Sequence, residues 1–548
     1  MKDELKLALS CFQQGELDKA KIILEKILLK NTGNAFAWFL SAIISLQQGK
    51  FEPAIASFKN AVKYQANYPE AFNNMGVAFE ASNEIDEAVK SYKKAITQKT
   101  DYANAYYNLA NIQKNKKEYD EAIDNYTKAI KYKPDYSNAM NNLALLYQSL
   151  GSFSKSESLL KRALTNNVAD PEIENNLGYN YYRKNQYLKS SEIFHKILHA
   201  VPDYAPTLLN YGLLMKAMGH HSEARHYFSH LSRDPQFQMQ ALSNLAYLEL
   251  SIENYEIGWQ HYRHRPSTRK LTFKSPDSLP SDIQGKKILI YKDQGIGDEL
   301  FLARYIPALI NRGANLSYYT DKKLASFWHR TFSDLSILTS IPTLQDYELV
   351  ISLGDLPYLL HHDNSFSIPS SVRISPDSTI VEKIQKLLPN NGKQNIAVTW
   401  ESGTKGLNTL FKSFPPDKLG ACLLTNEANI LVIQRNPKTK DIKILEKNLG
   451  RKTFNYAFIN DDLEEMLALL SLVDDYICVS NTNSHLMATL NRPFSVFIPH
   501  PPEWRWLYQG RQTPWFPLAK LYRQDATGSW EDAINQFKER VTEKITLA

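Results

Sequence analysis

Small and large residues recur through the first half of the chain with a period of 34 positions. When the chain is written in rows of 34 residues from residue 1, the eighth position of each row is small and the twenty-fourth is large. A small residue lets two helices approach closely, and the large one fills the groove beside that contact, so the spacing predicts paired helices. The small residues are Ala8, Ala42, Gly76, Ala110, Ala144, Gly178, Gly212 and Ala246. The large ones are Leu24, Phe58, Tyr92, Tyr126, Leu160, Phe194, Phe228 and Tyr262.

This spacing resembles that of the tetratricopeptide repeat, in which each unit of about 34 residues forms two antiparallel helices. Seven rows are complete and the eighth fades near Pro266. We therefore expect a solenoid of seven full repeats and a partial eighth over residues 1–265. Such repeats stack into an all-α superhelix with an extended concave surface. The first half is thus predicted to hold another protein.

The sixth position of six consecutive rows is asparagine, a poor helix former whose recurrence needs a reason. In one interpretation the amides make local hydrogen bonds, as is common at this position of the repeat. In the other they line the concave groove, where each offers a donor and an acceptor to a peptide backbone. The column resembles the asparagine ladder of O-GlcNAc transferase, which implies that it binds an acceptor protein. Its members are Asn74, Asn108, Asn142, Asn176, Asn210 and Asn244.

The repeating helical pattern ends at a predicted linker, residues 266–284, where helical periodicity stops among several prolines. Short apolar runs then alternate with helical stretches, which predicts parallel sheets in an α/β fold. The length suits two Rossmann-like halves, residues 285–390 and 391–548. The predicted strands are Lys287–Tyr291, Leu316–Thr320, Leu349–Leu353, Ile396–Trp400, Asn429–Gln434, Asp475–Ser480 and Phe494–Ile498.

The end of the first predicted strand carries the first candidate chemistry, because ligands in such folds bind where strands end and helices begin. Gly295, Gly297 and Asp298 follow that strand directly. The glycines permit close approach to the backbone. Asp298 either caps the next helix or takes a proton from an acceptor hydroxyl.

Two later strand ends also carry polar residues. The segment from Trp400 to Ser413 ends in Lys412-Ser413, and a Lys and a hydroxyl before a helix suit a diphosphate, whereas the plain alternative is a solvated surface Lys. The other segment lies at the end of the predicted strand Asp475–Ser480. It offers hydroxyls and amides that can bind phosphate or ribose, although a lone His there is usually structural. No metal-ligand spacing occurs nearby, so no metal is expected. Its polar residues are Ser480, Asn481, Thr482 and His485.

Together these segments resemble glycosyltransferases of the two-Rossmann GT-B type, similar to bacterial heptosyltransferases and their repeat-linked relatives. Gly297-Asp298 followed by Arg304 resembles the start of that family, which implies that Asp298 is the catalytic base and residues 285–390 the acceptor side. Residues 391–548 would bind the donor, and Asn481 stands where relatives carry Asp. The segment ending in Lys412 resembles the donor loop of O-GlcNAc transferase. The implied nucleotide-sugar residues are Gly295, Gly297, Trp400, Asn408, Lys412, Ser413, Ser480, Asn481, Thr482 and His485.

Composition limits the partners, the kinds of site and the cellular location to be expected. The 64 Lys and Arg against 58 Asp and Glu give +6, a weak bias without a dense basic run, so nucleic acid is not an expected partner. Cys11, Cys422 and Cys478 lie far apart and form no C-x-x-C pair, which argues against a zinc site or a disulfide framework. No signal peptide and no apolar run of about 18 residues is found. We therefore expect no membrane span and a cytoplasmic location.

The hypothesis from the sequence is an enzyme, a metal-independent protein O-glycosyltransferase. It would move a sugar from a nucleotide-activated donor to Ser or Thr of an acceptor protein held by the repeats. No further cofactor is expected, and relatives with this architecture make flagellin one candidate acceptor. Two alternatives stay open: a non-catalytic adaptor with a degenerate transferase domain, and a glycosyltransferase acting on lipopolysaccharide or another glycan. Heptose, N-acetylglucosamine and nonulosonic acids all remain candidate sugars.

Overall fold

The computed structural model of the protein describes residues 2–166, 169–361, 368–402, 412–424 and 427–546. The chain forms two compact units, Met1–Lys184 and Asn185–Ala548. Helices make up the regular structure described in the first unit. The second unit contains the later helices of the repeat pattern together with two parallel sheets.

The first unit is a run of antiparallel helix pairs at the predicted spacing. The small residues of the eighth position are buried where the two helices of a pair touch. The twentieth position of each row is also small, and its residues in this unit are buried as well, as Ala88 is in the third row. The eleven helices are α1 (Lys2–Gln13), α2 (Leu17–Lys30), α3 (Ala35–Gln47), α4 (Phe51–Tyr64), α5 (Pro69–Ala81), α6 (Ile85–Gln98), α7 (Ala103–Asn115), α8 (Tyr119–Tyr132), α9 (Ser137–Ser149), α10 (Phe153–Asn166) and α11 (Pro171–Arg183). The predicted all-α repeat architecture is confirmed here.

The turn between the two helices of each repeat uses a left-handed residue at the fifteenth position of the row. Glycine adopts this conformation freely, whereas another residue loses roughly 1–2 kcal/mol. The turn is nevertheless kept at four rows without glycine, so the packing of the helix pair imposes it. The residues are Gly15, Gly49, Asn83, Lys117, Gly151, Asn185, Gly219 and Glu253, all with positive φ.

In the third and seventh rows the glycine at the eighth position lies directly against a ring, whereas Ala42 and Ala110 share their rows with Phe58 and Tyr126. At Gly76 a Cβ atom would lie 2.5 Å from Cε1 of Tyr92, and the same distance of 2.5 Å separates a Cβ at Gly212 from Cε1 of Phe228. The fifth row instead pairs Ala144 with the smaller Leu160, and both are fully buried. The small and large columns are therefore two sides of one packing contact.

The second unit begins with five helices that continue the 34-residue pattern. They are α12 (Tyr187–Ala200), α13 (Ala205–Ala217), α14 (His221–Leu231), α15 (Gln238–Ser251) and α16 (Tyr255–Tyr262). A 3-10 turn at Pro266–Lys270 follows inside the predicted linker. The last repeat helices thus belong to the same compact unit as the sheets.

The first sheet, sheet A, has four parallel strands in the order β3-β2-β1-β4. Its strands are β1 (Lys287–Tyr291), β2 (Asn315–Tyr319), β3 (Ser336–Leu338) and β4 (Leu349–Ser352). The helices of this half are α17 (Ile296–Leu302), α18 (Ile306–Asn311), α19 (Ala325–Thr331), α20 (Leu356–His361) and α21 (Ser378–Gln385).

The second sheet, sheet B, has six parallel strands in the order β10-β9-β8-β5-β6-β7. Its strands are β5 (Asn395–Val398), β6 (Asn429–Val432), β7 (Phe454–Asn455), β8 (Asp475–Cys478), β9 (Phe494–Ile498) and β10 (Ala519–Arg523). Its helices are α22 (Pro416–Leu423), α23 (Thr439–Leu449), α24 (Leu463–Leu472), α25 (Thr482–Thr489) and α26 (Glu531–Thr546).

The sequence predicted seven of these strands and the α/β class, and the parallel sheets with intervening helices confirm that class. Three strands, β3, β7 and β10, were not predicted. All three lie at sheet edges. The first two are only three and two residues long, and β10 carries Lys520 and Arg523 among its apolar residues. None of them therefore shows the continuous apolar run of a strand buried on both faces.

One apolar core joins the last repeat to both sheets within the second unit. Trp259 of α16 packs edge-on against Trp504 and Trp515, with ring centroids 5.5 and 5.8 Å away. Phe301 of α17 meets the same two tryptophans at 5.5 and 5.4 Å. Edge-to-face aromatic packing of this kind adds to simple burial. The last repeat helix, sheet A and one face of sheet B therefore form a continuous interior.

Replacing Gly76 with Ala should destabilise the first unit. The new methyl group meets the Tyr92 ring, and overpacking costs roughly 1–3 kcal/mol, of which the better helix propensity of Ala returns up to about 1 kcal/mol. The measurement is urea denaturation followed by far-ultraviolet circular dichroism. The double variant Gly76→Ala/Tyr92→Leu, which copies the native Ala144–Leu160 pair, should recover part of the loss. A single variant as stable as the wild type would contradict this account of the column.

Candidate functional site

The strand order of sheet B creates a crevice at one point. Strand β5 has β6 on one side and β8 on the other, so the connections after β5 and β8 leave in opposite directions. In open α/β sheets, ligands bind outside the carboxyl ends of the strands at this reversal. The segment that begins after β5 leads to Lys412, and the segment after β8 contains Ser480. Sequence and topology thus select the same two segments.

Asn481 starts the helix that follows β8. Its side-chain oxygen accepts from the backbone N–H of Ser484 at 3.0 Å, and its amide nitrogen donates to the Tyr476 hydroxyl at 3.1 Å. The Tyr476 hydroxyl also donates to Thr399 Oγ1 at 3.1 Å, across the crevice between β8 and β5. The side chain predicted to contact the donor is therefore engaged in capping α25. The residues left to contact a ligand at the positive end of the helix are Thr482, the first residue of α25, and its neighbours.

Helix α17, which belongs to the half with sheet A, packs closely against α25, which belongs to the half with sheet B. A Cβ atom at Gly297 would lie 3.2 Å from Cδ2 of His485 and 3.8 Å from Oγ1 of Thr482. The sequence predicted that Gly297 lets a ligand approach the backbone. In the structure its missing side chain lets helix α25 approach instead. Through this contact Asp298 lies beside residues of sheet B.

His485 is buried, and none of the described residues hydrogen-bonds its Nδ1. Burial, and next the positive charge of Arg505, hold the pKa of His485 well below its usual range. The imidazole is therefore neutral at physiological pH. A buried ring nitrogen without a partner is uncommon in folded proteins and points to a ligand group at this place.

Asp298 is paired with Arg505, a residue whose role the sequence did not reveal. The Arg505 guanidinium donates to Oδ1 of Asp298, and within the described part of the chain Arg505 alone hydrogen-bonds that carboxylate. The guanidinium lies over two rings, with its carbon 4.7 Å from the Phe301 centroid and 4.4 Å from the Trp504 centroid. Its Nε is buried and finds no acceptor among the described residues. The ion pair joins the two halves and fixes one oxygen of Asp298.

Lys412 is also paired, with Glu503. Its Nζ lies 2.6 Å from Oε1 of Glu503, and the Ser480 hydroxyl donates to Oε2 of the same carboxylate. Burial alone would raise the pKa of Glu503, but the charges of Lys412 and Arg505 outweigh it and lower that pKa to about 2. Glu503 is therefore an anion at neutral pH. The plain alternative for Lys412, a solvated surface side chain, does not hold.

The remaining predicted donor residues play other parts or lie outside the described residues. Trp400 is buried in the apolar core of sheet B, so its ring supports the crevice from inside. Ser413 is exposed and pairs through its backbone with Glu401 in an antiparallel bridge. Gly295 precedes the first turn of α17. Asn408 lies outside the described residues. The structure thus brings together Gly297, Asp298, Lys412, Ser480, Thr482 and His485.

The matching crevice of sheet A is filled by a side chain from the end of the repeats. Strand β1 lies between β2 and β4, and Arg265 lies outside the ends of β1 and β4. It donates to Asp293 at 2.6 Å, to Asp355 at 2.6 Å and to the Ser352 hydroxyl at 2.7 Å. Burial opposes the charge of Arg265, but Asp355 and Asp293 outweigh it and raise its pKa. A ligand position of a doubly wound sheet is here an internal ion cluster.

The Arg265 cluster also fixes the segment that carries Asp298. A Cβ at Gly354 would lie 2.4 Å from the guanidinium carbon of Arg265, so only glycine fits there. The Tyr262 hydroxyl donates to Oε1 of Gln294 at 2.9 Å, four residues before Asp298. The last repeat therefore positions the loop between β1 and α17.

Glu299, next to Asp298, is a buried carboxyl group that the sequence did not single out. The Tyr318 hydroxyl donates to its Oε1 at 2.8 Å, and the hydroxyl of Thr320 donates to the same oxygen. Burial, only partly offset by these bonds, raises the pKa of Glu299. It ties α17 to the end of β2, which holds Asp298 on the crevice side of the helix.

The asparagine column makes hydrogen bonds inside the repeats. In the first unit, the Asn108 amide nitrogen donates to Asn73 Oδ1 at 3.1 Å and that of Asn176 to Asn141 Oδ1 at 2.9 Å. Asn142 donates to the Tyr107 hydroxyl at 3.1 Å and to Asn111 Oδ1 at 3.0 Å. These bonds link residues 31 to 35 positions apart in consecutive repeats, so they are not the local bonds of the first interpretation.

Of the three other members of the column, two make local hydrogen bonds and one is half-buried. Asn74 and Asn244 donate to backbone oxygens one turn earlier in their own helices, at 2.8 and 2.9 Å. Asn210 lies half-buried on α13. At least one amide hydrogen of each of the five described donors is therefore used within the protein. Binding of an acceptor backbone by this column stays a prediction.

Two classes of site receive no support from the described residues. No helix among them is long and apolar enough to cross a lipid bilayer. In the same ranges, no three His, Cys, Asp or Glu side chains are grouped so that they could hold a metal ion.

Comparison with known proteins supports the repeats. Models of the tetratricopeptide repeat match residues 103–136 and 137–165, and a model described as TPR repeat matches residues 44–83 and 81–117. Protein FlbA of Caulobacter vibrioides is 22% identical over 325 residues, which cover 53% of this chain and 53% of that protein. The chain thus spans about half the length of this curated relative.

Solved structures with similar segments include MamA and a tetratricopeptide repeat protein from Parabacteroides merdae. MamA is 27% identical and covers 29% of this chain and 94% of its own, with a TM-score of 0.28. The Parabacteroides protein is 16% identical and covers 42% and 91%, with a TM-score of 0.38.

Replacing Arg265 with Met should destabilise the second unit by about 3–5 kcal/mol, because Asp293 and Asp355 are left buried without their partner. Tryptophan fluorescence during urea denaturation measures this unit, since Trp38 alone of the 8 tryptophans lies outside it. The control is Arg330→Met, which removes a more exposed pair with Glu464 and should lose about 1 kcal/mol or less. Equal losses in the two variants would contradict a special role for Arg265.

Replacing Glu299 with Gln should change how stability depends on pH. The folded-state pKa of Glu299 is raised above 4.5, so its contribution is complete below pH 4.5 and is lost as pH rises through the folded value. The free energy of unfolding of the wild type minus that of the variant should therefore fall as pH rises above 4.5.

Urea denaturation at a series of pH values measures this difference. The control Glu348→Gln removes an exposed carboxylate whose pKa is lowered by the backbone N–H of Lys287 and by Lys286, and it should give the opposite slope. A Glu299→Gln difference that stays constant with pH would contradict the prediction.

Proposed function

We propose that the chain is a metal-independent protein O-glycosyltransferase of the GT-B type. It would transfer a sugar from a nucleotide-activated donor to Ser or Thr of an acceptor protein held by the repeats. The observation that carries the proposal is the ion pair between Asp298 of α17 and Arg505, formed beside Lys412, Ser480 and the start of α25. A carboxylate from one half thereby faces the anion-binding groups of the other.

Asp298 would act as the base. Its Oδ1 is held by Arg505, which leaves Oδ2 to accept the proton of the acceptor hydroxyl. As the hydroxyl oxygen forms its bond to the anomeric carbon, the bond from that carbon to the diphosphate oxygen breaks and the electron pair leaves with the nucleoside diphosphate. The proton then resides on Asp298. General-base assistance of this kind typically contributes 10²–10⁴-fold.

The leaving diphosphate would be stabilised by the second half of the protein. Lys412 and the Ser480 hydroxyl lie together at the crevice, and α25 presents its positive end there. Fixed cations and helix dipoles aimed at developing charge are the usual source of such stabilisation. The neutral His485 and the unpartnered Nε of Arg505 add two further groups that a donor can hydrogen-bond.

The repeats would bring the acceptor to Asp298. Tetratricopeptide repeats are protein-binding solenoids, and in this chain the last repeat is continuous with the core of both sheets. Tyr262 hydrogen-bonds Gln294 in the loop that leads to Asp298. An acceptor bound at the last repeat would therefore be oriented by the helix that positions the base, which can lower the barrier by several kcal/mol. Flagellin remains one candidate acceptor.

Replacing Asp298 with Asn should abolish transfer while nucleotide binding persists. The amide keeps the size of the side chain but cannot take the proton, so the transfer rate should fall by about 10²–10⁴-fold. Calorimetry with a panel of nucleotide sugars measures binding, and intact-mass analysis of co-expressed candidate acceptors measures transfer. The control is Asp346→Asn, an exposed carboxylate of the same half, which should transfer normally.

The outcomes separate the alternatives. Wild-type transfer by Asp298→Asn would rule out its role as base. A wild-type protein that binds no nucleotide sugar would support a non-catalytic adaptor. Transfer to a purified glycan in the absence of any acceptor protein would support a glycan-modifying enzyme. The mass increment on a modified acceptor identifies the sugar.

A further inference from the structure

Glu503 occupies the groups that the proposed function assigns to a donor phosphate. One of its oxygens lies 2.6 Å from Lys412 Nζ, and the other accepts from the Ser480 hydroxyl. Its side chain is 19% exposed, so the carboxylate is largely withdrawn from water. Two oxygens held by a Lys and a hydroxyl next to a helix start are what a bound phosphate would also show.

Among the described residues, the charges of the two ion pairs at the site balance without a ligand. Lys412 and Arg505 are positive, Asp298 and Glu503 are negative, and His485 is neutral. The four charges run in alternation, from Lys412 to Glu503 and from Arg505 to Asp298. A site built only to receive an anion would keep an excess of positive charge. A nucleoside diphosphate that entered beside Glu503 would meet a like charge at contact distance, which is strongly unfavourable where water is excluded.

We infer that Glu503 is an internal substitute for the donor phosphate, which holds Lys412 and Ser480 in place until a nucleoside diphosphate displaces it. This inference rests on the proposed function, because it takes the donor to carry a phosphate. The exchange requires only that the carboxylate leave its two partners, with no change in covalent bonds. A donor must compete with an anion of the protein itself, so its affinity is lower than the bare cations would provide.

The position of Glu503 in the chain couples this exchange to the base. Glu503 directly precedes the 3-10 turn Trp504–Trp506, which carries Arg505. The backbone N–H of Trp506 donates to the Glu503 carbonyl at 3.0 Å, so the turn is closed. Movement of Glu503 is therefore transmitted over two residues to the guanidinium that holds Asp298.

The test is the affinity of Glu503→Gln for anions. The amide keeps the size of the side chain and an oxygen that Ser480 can still bond, but it removes the charge. Calorimetry of the full-length wild type and variant with inorganic pyrophosphate, ADP, GDP, UDP and CDP should show binding about tenfold tighter in the variant for each ligand that the wild type binds. Glu503→Asp, which keeps the charge but is too short to reach both partners, should show a smaller gain.

Two further variants distinguish displacement from a general effect of charge. Glu446 is a carboxylate of the same half with a Lys partner at 2.8 Å and a hydroxyl partner at 3.2 Å, so Glu446→Gln is a matched control and should not alter affinity. In a Lys412→Met background, Glu503→Gln should gain less than about threefold, because the two residues then no longer compete for one cation.

Equal or weaker binding by Glu503→Gln, with measurable binding by the wild type, would overturn the inference and leave the proposed function in place. A gain that is undiminished in the Lys412→Met background would also overturn it. If neither wild type nor variant binds any of the five ligands, the inference fails, and the proposed function is then decided by the nucleotide-sugar panel and the transfer assay. A Glu503→Gln protein that does not fold by circular dichroism is replaced by Glu503→Asp, where the absence of any gain overturns the inference.

Discussion

The ion cluster around Arg265 is the interaction on which the second unit depends. A guanidinium that is almost fully buried bonds two carboxylates and a hydroxyl, which come from the ends of two neighbouring strands of sheet A. Its own backbone belongs to the end of the last repeat. Because each charge would be very costly to bury alone, the three segments must arrive together or not at all. The end of the last repeat, sheet A and the loop leading to Asp298 are thereby fixed relative to one another.

The candidate site is built by the meeting of the two sheets. Gly297 lets α17 approach α25, and the approach places Asp298 within reach of Arg505. Asp298 without Arg505 would be an ordinary first-turn carboxylate, and Arg505 without Asp298 would be a buried cation stacked on rings. Only the assembled pair has the arrangement that the proposed transfer would need, with a carboxylate on one side and cationic groups on the other.

The asparagine column of the repeats shows how one polar residue can serve packing. The asparagine amides of the column form hydrogen bonds between or within repeats, so the helices gain register from them. A peptide that lies along this column can use the remaining valences of the amides, mainly their oxygens. The positive-φ residue of each row is likewise determined by packing. The packed pair of helices imposes the left-handed backbone even where Lys117 or Glu253 stands in place of glycine.

The sequence by itself determined the helix pairs, the α/β class and most of the segments at the site. Period and alternation record which face of each element is buried, and burial is a local property of the pattern. Gly297, Asp298, Lys412, Ser480 and His485 could be found because they follow strands, where parallel sheets collect their ligands. Asn481 was also singled out, but the structure uses it to cap a helix.

Only the tertiary structure decided the partners of these residues. Arg505 lies 207 positions from Asp298 in the chain, and Arg265 lies 90 positions from Asp355. No periodicity connects residues at such distances, because an ion pair depends on where the topology brings two side chains. The edge strands β3, β7 and β10 were missed for a related reason, since a short or charged strand is held by its neighbour in the sheet and leaves little pattern of its own. Charge pairing and edge strands are thus set by long-range contacts, whereas element type is set by the local distribution of apolar residues.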